Sequence, residues 1–377
     1  MKRVLKIILI ISLCLLMGFA IGYGLGKLFG EDSVGHVQTH GRPMWEDITL
    51  IMISSIIGVF VGVFLQLIIH EAGHLVCGLI SGYRFVSFRV LSYTLLKEDN
   101  KFKVKEFSLS GTAGQCLLSP PDKPVEEIPI ILYELGGILF NLLLTAICIV
   151  LAMWGTDNTY ISFILYIVAF IGVIIFLING IPMIIGGFPN DGYDVLLLAR
   201  DLKAKSALLN ILRANALVQS GTLPKDLPSE YFSQLNDADL TNCIEANLAI
   251  FYLSVLIQKG KVSEAECLCR RIIEESKIGL LQTEAKVELA CILFNEGKID
   301  ETLGLLDKNE IKMIEISAKT QSSKQRYLFM RALKAENDRQ KAVEIFEQVQ
   351  STKDKYLMKG EIAMDLEIMW EALTSKD

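Results

Sequence analysis

The sequence predicts an all-α polytopic membrane protein with about four transmembrane helices and a small cytoplasmic β-hairpin insertion, joined to a soluble α-helical repeat domain. Three observations predict it. The chain has 377 residues and is 51% hydrophobic, yet nearly all its long apolar runs lie in the first two hundred. The remainder is rich in Glu, Lys and Gln and carries a recurring Gly-Lys turn. Inside one apolar run stands His70-Glu71-Ala72-Gly73-His74, an H-E-x-x-H pentapeptide. The domains expected are therefore 1–199, embedded in the membrane, and 200–377, cytosolic.

The N-terminal run, 4–29, follows Met1-Lys2-Arg3 and is long enough to span a bilayer, which takes roughly 20 residues. No A-x-A-like cleavage site is clear within it, so it reads as a retained helix and not as a signal peptide. A polar connection, 31–47, holds His36 and His40. Their spacing suits a metal, but no third ligand accompanies them, and they read as solvated.

The second run, 48–80, is too long for one straight crossing. Residues four apart share a helix face, so His70 and His74 can aim both imidazoles at one metal ion. Glu71 is placed to reach a metal-bound water as general base. Two imidazoles and a carboxylate are costly among lipid-facing side chains, and ionisable groups at membrane depth mark function by default. The bland reading is a polar trio paired inside a helix bundle.

The basic connection 83–127 carries Arg84, Arg89, Lys97, Lys101, Lys103, Lys105 and Lys123. Short alternating runs at 85–90 and 101–104 flank Glu98-Asp99-Asn100 and suggest a hairpin. The stretch from Gly111 to Cys116 reads as loop, ending at Pro120-Pro121. An open strand edge there could hold an extended peptide by strand addition.

A third crossing is expected over 128–154 and a fourth over 160–199. Asn179-Gly180-Ile181-Pro182 interrupts the fourth, and Asn190-Asp191-Gly192 follows among apolar residues. Irregular backbone at membrane depth survives where it is enclosed by protein or lines a wet cavity, which makes Asp191 a placed group. Lys and Arg crowd 83–127 and the region after Arg200, while 31–47 and 155–159 have almost none. The positive-inside rule then puts the N-terminus, the basic loop and the C-terminal half in the cytoplasm of a multi-pass cell-membrane protein.

Beyond Arg200 the chain contains no histidine. Gly260-Lys261-Val262-Ser263-Glu264-Ala265 recurs as Gly297-Lys298-Ile299-Asp300-Glu301-Thr302, and more weakly as Asn337-Asp338-Arg339-Gln340-Lys341-Ala342. Helix–turn–helix repeats of this kind are similar to tetratricopeptide repeats, although the Trp-Leu-Gly signature is missing. Stacked helix pairs would present a surface for a substrate tail or a cytosolic protein partner. The bland alternative is an irregular bundle. The net charge of −6, without a basic stripe, argues against a nucleic-acid partner. The eight cysteines form no paired C-x-x-C, and Cys267 and Cys269 read as buried thiols in a reducing compartment.

Three motifs in this order resemble the site-2 protease family of intramembrane zinc metalloproteases: His70 to His74, Gly137-Ile138-Leu139-Phe140-Asn141, and Asn179 to Pro182 leading to Asn190-Asp191-Gly192. The resemblance covers roughly 48–200 and leaves the C-terminal half outside. It departs at Ile138, where proline is usual, and in the longer stretch between Pro182 and Asp191. The resemblance implies that His70, His74 and Asp191 bind Zn2+, that Glu71 activates water, and that Asn141 and Asn179 contact substrate. Two imidazoles and one carboxylate leave a fourth tetrahedral position for water, the geometry of a catalytic zinc. The implied activity is hydrolysis of a peptide bond in a membrane protein or membrane-bound peptide near the cytoplasmic face. Two alternatives stay open. One is a non-catalytic membrane receptor or scaffold with a structural metal site and a partner-binding repeat domain. The other is a prenyl-protein protease, ranked lower because Asp191-Gly192 in a broken helix is not its expected third ligand.

Overall fold

A computed structural model describes residues 44–98, 101–107, 113–185 and 188–375. The expected helix over 4–29, Cys14, and the pair His36 and His40 lie outside the described residues. The protein is mostly helical and divides into two compact units. Of the described residues, one unit takes those before Gly78 together with Tyr133–Pro182, and the other takes those of Gly78–Leu132 and those from Met183 onward.

The first unit is built from α1 (Met44–Ile80), α2 (Ile130–Trp154) and α3 (Thr159–Gly180). All three are long and apolar enough to cross a membrane. Phe60, Val63, Leu143 and Trp154 are exposed on them, an apolar surface compatible with membrane association. Asn158 caps α3, its side chain accepting from the backbone N–H groups of Tyr160 and Ile161. The Tyr160 hydroxyl donates to Asp47 in the first turn of α1 at 3.0 Å, tying the starts of these two helices together.

The second unit holds a sheet and the remaining helices. Its strands β1 (Arg84–Val90), β2 (Tyr93–Glu98), β3 (Lys101–Glu106) and β4 (Gly114–Ser119) lie in the order β3-β2-β1-β4, antiparallel throughout. The expected hairpin is thus a four-stranded sheet, and Gly114 to Cys116, read from sequence as loop, belong to a strand. Gly and Gln have little strand preference of their own. Pairing with β1 overrides it, as strand propensity is mostly a matter of neighbours. A shift in register between Phe85 and Ser87 accommodates the pairing.

After α3 a two-residue ladder of β5 (Ile184–Ile185) and β6 (Phe188–Pro189) leads into α4 (Asp191–Leu198) and α5 (Leu202–Ser220). Helices α6 (Cys243–Gln258) and α7 (Val262–Glu275), α8 (Gly279–Asn295) and α9 (Ile299–Leu305), and α11 (Ser322–Met330) and α12 (Arg339–Ser351) form three helix–turn–helix pairs. Between them in sequence lies α10 (Lys308–Ser317), and α13 (Lys359–Thr374) closes the unit. Each pair turns on a left-handed residue: Gly260 at φ 70°, Gly297 at φ 74° and Asn337 at φ 52°. The same three residues open the three copies of the sequence repeat, and Gly and Asn tolerate that conformation best.

The core of this unit gathers Val287, Phe294, Tyr327, Phe329, Met330, Phe346 and Met369. A second cluster joins the sheet to the connection between α12 and α13 through Leu96, Phe107 and Leu357. Every described cysteine is a free thiol. Cys269 is buried, but Cys267 is exposed, contrary to the sequence reading. Two residues along a helix reverse the face, and only one face of α7 meets the core.

Candidate metal centre

Helix α1 carries His70, Glu71 and His74 on neighbouring turns. Glu71 and His74 are each only 8% exposed. The two Nε2 atoms approach to 3.2 Å, with the rings edge to face. Each Nδ1 is engaged elsewhere: that of His70 lies 2.7 Å from Asn141 Oδ1, and that of His74 lies 2.9 Å from the Tyr133 carbonyl. A carbonyl only accepts, so His74 Nδ1 carries the proton and its Nε2 presents a lone pair. The same polarity holds at His70 if the amide oxygen of Asn141 faces the ring, which the bonds to its nitrogen require. Asn141 Nδ2 donates to the Gln66 carbonyl at 2.8 Å and to Gln66 Oε1 at 2.7 Å.

Two lone pairs thus converge on one point. Metal–nitrogen bonds of about 2.0–2.1 Å in a tetrahedral arrangement place two imidazole nitrogens about 3.3 Å apart. The observed 3.2 Å fits that requirement without rearrangement. Among the described residues, His70, His74 and Asp191 form a group whose ligand atoms all lie within 4.8 Å of one another, and this group could hold a metal ion.

Glycines make the approach of α2 to α1 possible. A Cβ on Gly137 would sit 2.6 Å from both His70 Nδ1 and His74 Nε2, inside the space the imidazoles occupy. Gly73, within the H-E-x-x-H pentapeptide, meets Gly136 backbone to backbone, and a side chain on either would force the helices apart.

Asp191 is the first residue of α4, and its neighbour Asn190 fixes that start. The Asn190 side chain accepts from Tyr193 N at 2.9 Å and from Met183 N at 3.1 Å, while its own N–H donates to the Met183 carbonyl at 3.0 Å. The break in the fourth apolar run is therefore an organised turn with a capped helix behind it.

The other two residues assigned from the resemblance take different places. Asn141 is fully buried, its carboxamide engaged with His70 and Gln66. Asn179 turns back on its own helix, Nδ2 donating to the Ile175 carbonyl at 3.1 Å. Sequence reasoning missed Gln66 and Thr145, both buried polar residues in apolar helices. The signal was present, since Gln66 lies one turn before His70 and shares its face. No family model, no curated protein and no solved structure matches this chain.

Proposed function

We propose that the protein is an intramembrane zinc metalloprotease that hydrolyses a peptide bond of a membrane protein or membrane-bound peptide near the cytoplasmic face. The observation that carries the reading is the approach of the His70 and His74 Nε2 atoms to 3.2 Å with both Nδ1 atoms already engaged. His70, His74 and Asp191 would hold the ion. Zinc so bound would lower the pKa of a water toward ~7 and polarise the scissile carbonyl. Glu71, next to the first ligand and largely shielded from solvent, takes the proton from the attacking water. As the new bond forms between the water oxygen and the carbonyl carbon, the carbon–nitrogen bond breaks. Glu71 then delivers the proton to the leaving amine, so it ends the cycle as it began.

Three apolar helices are compatible with membrane association, and the cytoplasmic orientation rests on the distribution of Lys and Arg. The helix pairs of the second unit would engage the substrate's cytoplasmic tail or a cytosolic partner, raising the effective concentration of substrate.

The test separates the metal from the base. Purified Glu71→Gln retains zinc at full stoichiometry and loses about 10²–10⁴-fold in turnover, the usual weight of a general base. Changing both His70 and His74 to Phe removes the zinc as well. Comparing peptides released from membranes by the wild type and by Glu71→Gln identifies the substrate. Unchanged cleavage in Glu71→Gln would refute the enzymatic role and favour a receptor with a structural metal.

A further inference from the structure

The polar contacts around His70 continue past Asn141, through groups that no zinc ligand set requires. Gln66 is fully buried at 0% exposure, as is Asn141, and Thr145 is 3% exposed. Gln66 Nε2 donates to the Val168 carbonyl on α3 at 3.3 Å. Its Oε1 accepts from Asn141 Nδ2 at 2.7 Å, and its backbone carbonyl accepts from the same nitrogen at 2.8 Å. Thr145 donates to the Asn141 carbonyl at 2.8 Å.

The direction of this chain is not arbitrary. Backbone carbonyls accept and never donate, so the atom of Gln66 facing Val168 must be its nitrogen. That leaves Gln66 Oε1 toward Asn141, which must then answer with its own nitrogen. The Gln66 backbone carbonyl demands the same. Asn141 is left with Oδ1 toward His70, where only a protonated Nδ1 satisfies it. Polarity set by two main-chain carbonyls is thereby passed through two carboxamides to a metal-ligand imidazole, leaving its Nε2 with a lone pair. The space for this is made by Gly172 on α3, where a Cβ would collide with both Thr145 Oγ1 and Gln66 Nε2.

We propose that Gln66 is a positioning residue of the metal centre, locking the Asn141 carboxamide so that His70 is held in the tautomer and orientation that bind metal. The proposal rests on the zinc reading above. It adds that affinity for the ion depends on a residue that touches neither metal nor substrate. Outer partners of ligand histidines change metal affinity by about 10–100-fold. Gln66 stands one bond further out, and Asn141 retains the Gln66 carbonyl as acceptor, so its side chain belongs at the low end of that range.

The experiment measures zinc affinity of the full-length protein in detergent by competition with a chromophoric chelator, with no substrate present. Gln66→Met weakens zinc about tenfold. Gln66→Glu, which keeps an acceptor for Asn141 Nδ2, recovers most of that loss. Gly172→Ala removes no hydrogen-bonding group yet displaces Gln66, and weakens zinc in the same direction. In the Asn141→Leu background Gln66→Met costs nothing further, because the path to His70 is already cut. Ser55→Ala deletes another buried hydroxyl of α1 and leaves zinc affinity unchanged.

Wild-type zinc affinity in both Gln66→Met and Gly172→Ala would overturn the proposal. So would full additivity of Gln66→Met with Asn141→Leu, or an equal loss in Ser55→Ala, which would signal general loosening of the helix. Should Gln66→Met not fold, Gly172→Ala and Gln66→Glu decide between the same outcomes. A protein that binds zinc with this pattern but hydrolyses nothing would sink the protease reading alone. Hydrolysis lost in Glu71→Gln, with zinc affinity indifferent to Gln66, would sink this one alone.

Discussion

At the scale of single residues, the second unit contains a buried ionic network far from any metal ligand in sequence. Arg326 is 1% exposed and donates to Glu288 at 2.6 Å, with Asp365, wholly buried, 3.3 Å from its other terminal nitrogen. Lys324 pairs with Glu284. Glu361, one turn before Asp365 on α13, faces this acidic surplus. Burial first, then the Asp365 and Glu288 carboxylates, push Glu361 up to about 8. Its carboxyl is therefore protonated at neutral pH in the folded protein. The unfolded value is 4.5, lower than the folded one, so its contribution to stability is intact below 4.5 and is lost as pH rises from there through about 8. Thermal midpoints of the full chain should fall across that window. Glu361→Gln should flatten the fall and melt above the wild type at pH 9. An unchanged slope in the variant would show that Glu361 is not the titrating group.

At the scale of elements, helix ends matter more here than helix interiors. The long apolar helices of the first unit have length enough to be stable without special end residues. The short α4 does not, because eight residues are too few to be stable alone. Asn190 supplies the cap and also clamps Met183 across the preceding ladder. Asn190→Ala should cost α4 about 1 kcal/mol. Since Asp191 is the first residue of that helix, zinc affinity should drop with it, while Asn190→Ser should restore both. Chelator competition on the two variants reads the effect. Equal affinity in Asn190→Ala and wild type would mean that Asp191 is held by something other than the cap. The repeat turns follow the same logic, with Gly260, Gly297 and Asn337 each occupying the left-handed conformation that ends one helix and admits the next.

At the scale of the whole molecule, the C-terminal half is more than an appendage. Within the second unit, Ser87 of the sheet donates to Gln219 of α5 at 3.1 Å, and Arg213 donates to the Pro121 carbonyl at 3.2 Å. Leu96 and Phe107 bury themselves with Leu357. Truncation after Lys205 removes all three partners. Returning side chains of this size to water costs about 1.5–3 kcal/mol each when complete. Hydrogen exchange in β1 and β4 should therefore accelerate sharply in the truncated protein, even where it still inserts and binds zinc. Unchanged exchange would show the sheet to be independent of the helices and would support a separable C-terminal domain.

The sequence by itself determined the apolar runs that became α1, α2 and α3, the facing of His70 and His74, and the turns of the three helix pairs. Each depends on spacing along the chain: four residues for a helix face, roughly twenty for a crossing, one glycine or asparagine for a left-handed turn. Tertiary structure decided what depends on partners distant in sequence. Gly114 to Cys116 became a strand because β1 lies beside them. Asn141 became a partner of His70 because Gln66 and Val168 orient its amide. The grouping of the sheet with the C-terminal helices arose because Leu96 and Phe107 pack with Leu357. Periodicity fixes which way a side chain points along its own element. Only packing fixes what it meets there, and hydrogen-bond polarity passed across three helices leaves no periodic trace in the sequence.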